Sequence, residues 1–194
     1  MPLLNSDKIL ELIPSLFELN LSSSNIFRKL EKILVFDEGF IFFANPDSLQ
    51  LKYSYKKHLN YEIEKTLALS QSLKKFIFTS EGKIIDGESE LVKAIELEGS
   101  KQNSYLVSKI AIKSTVFGIV VLSKREANYY KKNDLDALNA IASVLAYNLK
   151  DLELSNVFKL QLKALKDGII EKNDAYKTIK EQNEKILEAD KVKN

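Results

Sequence analysis

The sequence predicts an α+β fold: an antiparallel sheet flanked by helices and followed by one long C-terminal helix. Three observations lead there. β-rich, alternating segments at 39–56 and 104–124 are broken by turn residues. Segments with apolar residues spaced three and four apart lie before and between them. From Lys132 to Val192 there is no proline and a single glycine, Gly168.

The elements follow in order. Residues 6–19 place Ile9, Ile13, Leu16 and Phe17 on one helical stripe, with Pro14 set to kink it. Residues 22–35 repeat the pattern with Ile26, Leu30, Ile33 and Leu34, and Asp37-Glu38-Gly39 signals a turn. Strands at 39–45 and 48–56 flank Asn45-Pro46-Asp47, which is hairpin chemistry. In the second strand Leu49, Leu51, Tyr53 and Tyr55 alternate with polar residues, so all four are expected on one face. Residues 60–79 read as a helix through Ile63, Leu67, Leu73 and Phe76. A short strand at 83–86 and a short helix or ordered loop at 88–98 come next. Strands at 104–113 and 116–124 are joined by a tight turn at Ser114-Thr115.

Composition narrows the function. Net charge is +2, from 29 basic and 27 acidic residues, and only Arg28 and Arg125 are arginines. Neither nucleic acid nor an anionic membrane is an expected partner. The chain lacks cysteine, which removes disulfides, thiolate metal sites and a cysteine nucleophile. There is no apolar run of spanning length and no signal-peptide pattern in residues 1–19, so a cytoplasmic location is expected.

Chemistry-bearing motifs are scarce. His58 is the only histidine and reads as a solvated loop residue. A Ser/His/Asp triad would have to use it; haem ligation by His58 alone is a weaker alternative, and two-histidine haem ligation within one chain is excluded. No metal-ligand spacing and no phosphate-binding glycine loop occurs. The expectation is a non-catalytic chain with no metal and no resident cofactor.

Ser104-Tyr105-Leu106, Ile110-Ala111-Ile112, a two-residue turn and Val116-Phe117-Gly118-Ile119-Val120-Val121-Leu122 resemble the paired strands of GAF domains. The likeness continues through Tyr130, Asn133-Asp134-Leu135, Leu138 and Ile141-Ala142. Gly118 would let a neighbouring element approach the sheet, and Asn133 or Asp134 would cap the helix. Lys109 departs from the proline that many members carry there. PAS domains have a similar sheet and remain the alternative at this point. The resemblance implies a sensory domain over 22–152, preceded by a helical segment at 1–21 and followed by a coiled coil at 153–194.

Covalent bilin attachment and the methionine-sulfoxide reductase branch of that family both need a cysteine, so neither is expected. The cyclic-nucleotide residue set is not found either. A small-molecule ligand, if bound, would stack on Phe42, Tyr53, Phe76, Phe78 or Tyr105. The same aromatics would otherwise fill the core.

A helix over 132–192 would run roughly 90 Å at about 1.5 Å per residue. A globule of the preceding residues is only about 30–40 Å across. Most of the helix is therefore expected to extend past its own domain and to need a partner helix. Leu135, Leu138, Ala142, Leu145, Leu149 and Leu152 step by three and four, and this first stretch is expected to pack on the domain's sheet and also on a partner. Phe158, Leu162, Leu165, Ile169, Lys172, Tyr176, Ile179, Asn183 and Ile186 follow a second heptad row. Leu152 to Phe158 is a step of six where a continuous heptad has seven, a phase break. With Leu162 at an a position Asn183 is also an a, which favours a parallel two-stranded register. The expected dimer interface therefore runs through Leu145, Leu149, Leu152, Phe158, Leu162, Leu165, Ile169, Tyr176, Ile179, Asn183 and Ile186.

Residues 182–194 resemble the segment just ahead of the phosphoacceptor helix of sensor histidine kinases. The sequence thus points to a sensory homodimer feeding a downstream output, most simply a histidine kinase. A structural dimerisation or adaptor module without a ligand is the rival.

Overall fold

In the computed structural model the described residues are 23–56, 65–95 and 102–192, with side chains described from 26 to 185 within those ranges. The helical segment expected at 6–19, His58 and Ile63 lie outside them. The elements are α1 (Ser23–Leu30), β1 (Glu38–Asn45), β2 (Ser48–Lys56), β3 (Thr66–Ala68), α2 (Gln71–Thr79), β4 (Gly82–Asp86), α3 (Glu90–Ala94), β5 (Ser104–Ile112), β6 (Thr115–Lys124) and α4 (Lys132–Val192). The chain divides into two compact units, Met1–Leu149 and Lys150–Asn194.

The first unit is built on a six-stranded sheet of order β3-β2-β1-β6-β5-β4. Every neighbouring pair is antiparallel. Each face of the sheet carries its own core. One face packs Ile41, Leu106, Ile110, Val120 and Leu122 against α1 and the start of α4. The other packs Phe42, Leu49, Leu51, Tyr105, Val107, Ile119 and Val121 with α2 and α3. Burial on both sides of β1, β5 and β6 explains their nearly continuous apolar runs.

Several expectations need correction. Thr66-Leu67-Ala68 forms an edge strand on Ser48–Gln50 rather than the start of a helix. The helix begins only at Gln71, where the Ser70 side chain accepts the Leu73 N–H at 3.3 Å. Helix α1 ends at Leu30, and Glu31–Ile33 form a turn. The β5–β6 turn is Lys113-Ser114, one residue earlier than expected, because Ile112 pairs with Thr115. Lys113 sits there at φ 53, a left-handed conformation that its residue type does not advertise. Asp134 is the third helical residue, and its carboxylate accepts the Lys131 N–H at 2.8 Å. It supplies the reciprocal half of a capping box rather than the N-cap itself.

The strand β2 does not keep one apolar face. Ile41 pairs with Tyr53 and Phe42 with Leu51, leaving Lys52 as a bulge. The extra residue reverses the side-chain alternation. Leu49 and Leu51 therefore join the α2/α3 core, while Tyr53 and Tyr55 pack against the α1/α4 core. Gly118 faces the main chain of β1, and a Cβ there would run into the Phe42 carbonyl. The approaching element is thus the neighbouring strand.

Candidate functional site

The α2/α3 face brings three of the five candidate ligand residues together. Phe42 points to it from β1, Tyr105 from β5 and Phe76 from α2, and all three belong to one buried cluster. None is more than 2 % exposed. The Tyr105 hydroxyl accepts from Asn103 Nδ2 at 3.2 Å. Helix α2 turns Leu73, Phe76 and Ile77 inward. Phe78 stands two residues beyond Phe76, about 200° further around the helix, and is 81 % exposed. Tyr53 lies on the opposite face of the sheet, edge-on to Phe43 with ring centres 5.9 Å apart. Burial raises its phenol pKa. The Lys52 bulge separates it from Phe42, which strict alternation could not foresee.

Lys109 ties α2 to the sheet. Its Nζ donates to the Ile77 carbonyl at 3.1 Å, and its N–H donates to the Glu81 carbonyl at 2.8 Å. A cation on the last turn of a helix is favourably placed. Proline at this position would have neither donor. The departure from the usual residue thus has a structural use that the sequence did not disclose.

A cleft of about 330 Å³ opens where β4 ends and β5 begins. Ile84, Asp86, Ser89, Ser104, Tyr130 and Lys131 are among the residues lining it. The Lys131 ammonium donates to the Asn128 carbonyl at 2.8 Å, and Asp86 accepts the Glu88 N–H at 3.0 Å. Tyr130 donates its hydroxyl to the Val35 carbonyl at 3.2 Å. Burial, then the charge of Asp37, pushes its phenol far above the ordinary tyrosine range.

The connection from β6 towards α4 is held by acidic residues at the start of β1. Asp37 accepts from Lys124 Nζ and from the Arg125 N–H, each at 2.9 Å. Glu38 pairs with Lys56 at 3.0 Å and with Arg125 at 3.2 Å. Ser108 on β5 donates at 2.7 Å to Asn139 Oδ1 on α4. Among the described residues there is no group of three or more His, Asp or Glu placed to hold a metal ion. No helix among them is long and apolar enough to cross a membrane.

The expected interface residues fall into two classes. Leu145 is 3 % exposed and belongs to the core of the first unit, and half-buried Leu149 packs against that core. Both are engaged within their own domain. In the second unit every side chain described from Lys150 to Lys185 is exposed. That includes Leu152, Phe158, Leu162, Leu165, Ile169, Tyr176, Ile179 and Asn183. The Ile186 side chain lies outside the described set.

No family model matches the chain, and no curated protein does. Solved structures do. The GAF domain of a two-component sensor histidine kinase from Bacillus halodurans superposes with TM-score 0.54 at 20 % identity, covering 69 % of this chain and 94 % of that one. The GAF domain of an Acinetobacter phosphoenolpyruvate-protein phosphotransferase gives 0.61 at 17 % identity, over 80 % and 99 %. The phycocyanobilin-bound GAF domain of a cyanobacterial phytochrome gives 0.61 at 19 % identity, over 78 % and 97 %. With six antiparallel strands among the described residues, helices on both faces of the sheet and a long C-terminal helix, this chain has the GAF fold.

Proposed function

We propose that the chain is a non-catalytic regulatory GAF module that forms a parallel homodimer through α4 and passes a signal to an output domain. One observation carries the reading. Helix α4 runs unbroken for 61 residues, and the heptad-spaced apolar side chains described in its second unit are exposed. Leaving them in water would forgo about 1.5–3 kcal/mol for each aliphatic that a partner helix would bury. A histidine kinase is the output favoured by the resemblance of residues 182–194, and one structural neighbour is described as part of such a kinase. A cytoplasmic location fits that role. The test is made on the protein expressed from its full reading frame. Replacing Leu165 and Ile169 together with Lys should separate the dimer and abolish regulated autophosphorylation. Regulation that survives in a monomer would refute the reading.

A second reading is a dimerisation or adaptor module without a small-molecule ligand. The closed packing of Phe42, Phe76 and Tyr105 favours it, because these groups already fill the core. Ligand-induced thermal stabilisation that is lost on Phe76→Ala, while a distant core variant such as Leu30→Ala retains it, would decide against this reading.

A further inference from the structure

We infer that the homodimer seam enters α4 on the face opposite the domain core, through Tyr147 and Leu154, rather than through Leu145, Leu149 and Leu152. The inference rests on the parallel dimer proposed above and fixes which surface the second copy covers. In the first unit α4 turns Leu138, Ile141, Ala142, Leu145 and Ala146 into the core. Tyr147, two residues from Leu145 and so about 200° around the helix, is 53 % exposed. In the second unit exposure alone selects no row, because all described side chains are exposed. Spacing along the chain does. Tyr147, Leu154, Phe158, Leu162, Leu165 and Ile169 follow one another at intervals of seven, four, four, three and four.

Tyr147 to Phe158 is an eleven-residue interval, close to three turns of an undistorted α-helix. The row therefore stays on one side of the helix without a break. The step of six from Leu152 to Phe158 is then a passage from the core-facing row to the partner-facing row. The two four-residue steps around Phe158 insert a stutter, which locally relaxes a left-handed supercoil.

The flanking charges select a second, parallel copy of this chain. With Leu162 at a, Lys159, Lys166 and Lys180 occupy e positions, and Gln161 and Gln182 occupy g positions. A parallel pair sets each e against a g of the other helix, so lysine meets neutral residues. An antiparallel pair sets e against e and brings lysine columns together. Asn183 at an a position matches its own copy only when the two helices are parallel and in register.

The chain has no native cysteine, so single-cysteine variants report the seam without background. Tyr147→Cys, Leu154→Cys, Leu152→Cys and Leu162→Cys replace partly exposed side chains, and each is oxidised under mild conditions in the full chain. Tyr147→Cys, Leu154→Cys and Leu162→Cys are expected to shift from monomer to dimer mass on a non-reducing gel. Leu152→Cys is expected to stay monomeric there. A dimer band for Leu162→Cys and Leu152→Cys, with none for Tyr147→Cys or Leu154→Cys, would overturn this seam and leave the parallel dimer standing. Loss of the Leu162→Cys band would overturn both.

Discussion

Leu145 and Tyr147 stand two residues apart on α4 and on opposite sides of it: Leu145 is 3 % exposed and Tyr147 is 53 % exposed. One helix thus closes a domain core with one face and leaves the other open. The two residues should respond differently to truncation. Leu145→Ala should cost about 2–5 kcal/mol of domain stability, as expected for a leucine removed from a packed core. Tyr147→Ala should leave domain stability almost unchanged and weaken self-association. Denaturant unfolding alongside sedimentation separates the two effects, and equal destabilisation by both variants would contradict the assignment.

The Ser108–Asn139 hydrogen bond should anchor α4 to the sheet. Ser108 is 1 % exposed, so Asn139→Ala leaves its hydroxyl only the Glu81 carbonyl, at a long 3.5 Å. A loss of about 1–3 kcal/mol is expected in chemical denaturation. In the Ser108→Ala background the same change should cost clearly less. Purely additive losses would show that the two side chains are not coupled.

Glycines in the two units should behave oppositely. Gly118→Ala drives a Cβ into the Phe42 carbonyl, and an overpacking loss of about 1–3 kcal/mol or more is expected. Gly168 has nothing within 4 Å of the position a Cβ would take. Gly168→Ala should therefore stabilise α4 by up to about 1 kcal/mol through helix propensity. Thermal melts followed by circular dichroism check both, and a destabilising Gly168→Ala would mean that this glycine serves close helix contact.

Tyr55 gives a pH signature. Its hydroxyl donates to Glu31 at 2.6 Å. That hydrogen bond, with burial and the Glu31 charge, raises the phenol pKa to about 12. A raised phenol pKa stabilises the fold fully below the unfolded value near ~10. The contribution is lost as pH climbs through about 12. Glu31→Ala should lower the Tyr55 titration towards the ordinary value, read as the alkaline phenolate difference spectrum against Tyr55→Phe. An unmoved titration would rule out Glu31 as the cause.

Element identity was largely legible in the sequence because alternation and three–four spacing are strong signals in β1, β5, β6 and α4. What it missed depended on single residues with tertiary causes. The Lys52 bulge sends Tyr53 away from Phe42, and Lys52 carries no glycine or proline to announce it. Thr66–Ala68 are a strand because β2 offers an unpaired edge, an influence that local propensity does not contain. Of the five aromatic candidates, three meet because each points to the same face of the sheet, a relation visible only once the strands are paired. Phe78 fell outside because helical phase, rather than residue type, decides which aromatic of α2 turns inward. The long helix was readable from missing prolines, and its first leucine row, Leu135 to Leu152, reads as packing on the sheet and on a partner. Leu145 and Leu149 do engage the domain core, but spacing alone does not say which residues of that stretch also face the partner.

Helical phase should matter at the junction. Adding one residue after Ser155 would restore a continuous heptad if the row through Leu152 were the seam. With the seam through Tyr147 and Leu154, it instead rotates Phe158 away from them by about 100°. A seven-residue insertion nearly preserves the alignment. Tyr147→Cys and Leu162→Cys combined with each insertion should both cross-link in the seven-residue variant. Only one of the two sites should do so in the one-residue variant. Equal cross-linking in the two insertions would make the helix a simple tether.

Sedimentation equilibrium of the unmodified chain tests the central claim most directly. The account predicts a dimer mass that falls to monomer when Leu165 and Ile169 are both replaced by Lys, with the sheet signal in circular dichroism retained. A monomer mass for the unmodified chain at high micromolar concentration would contradict it.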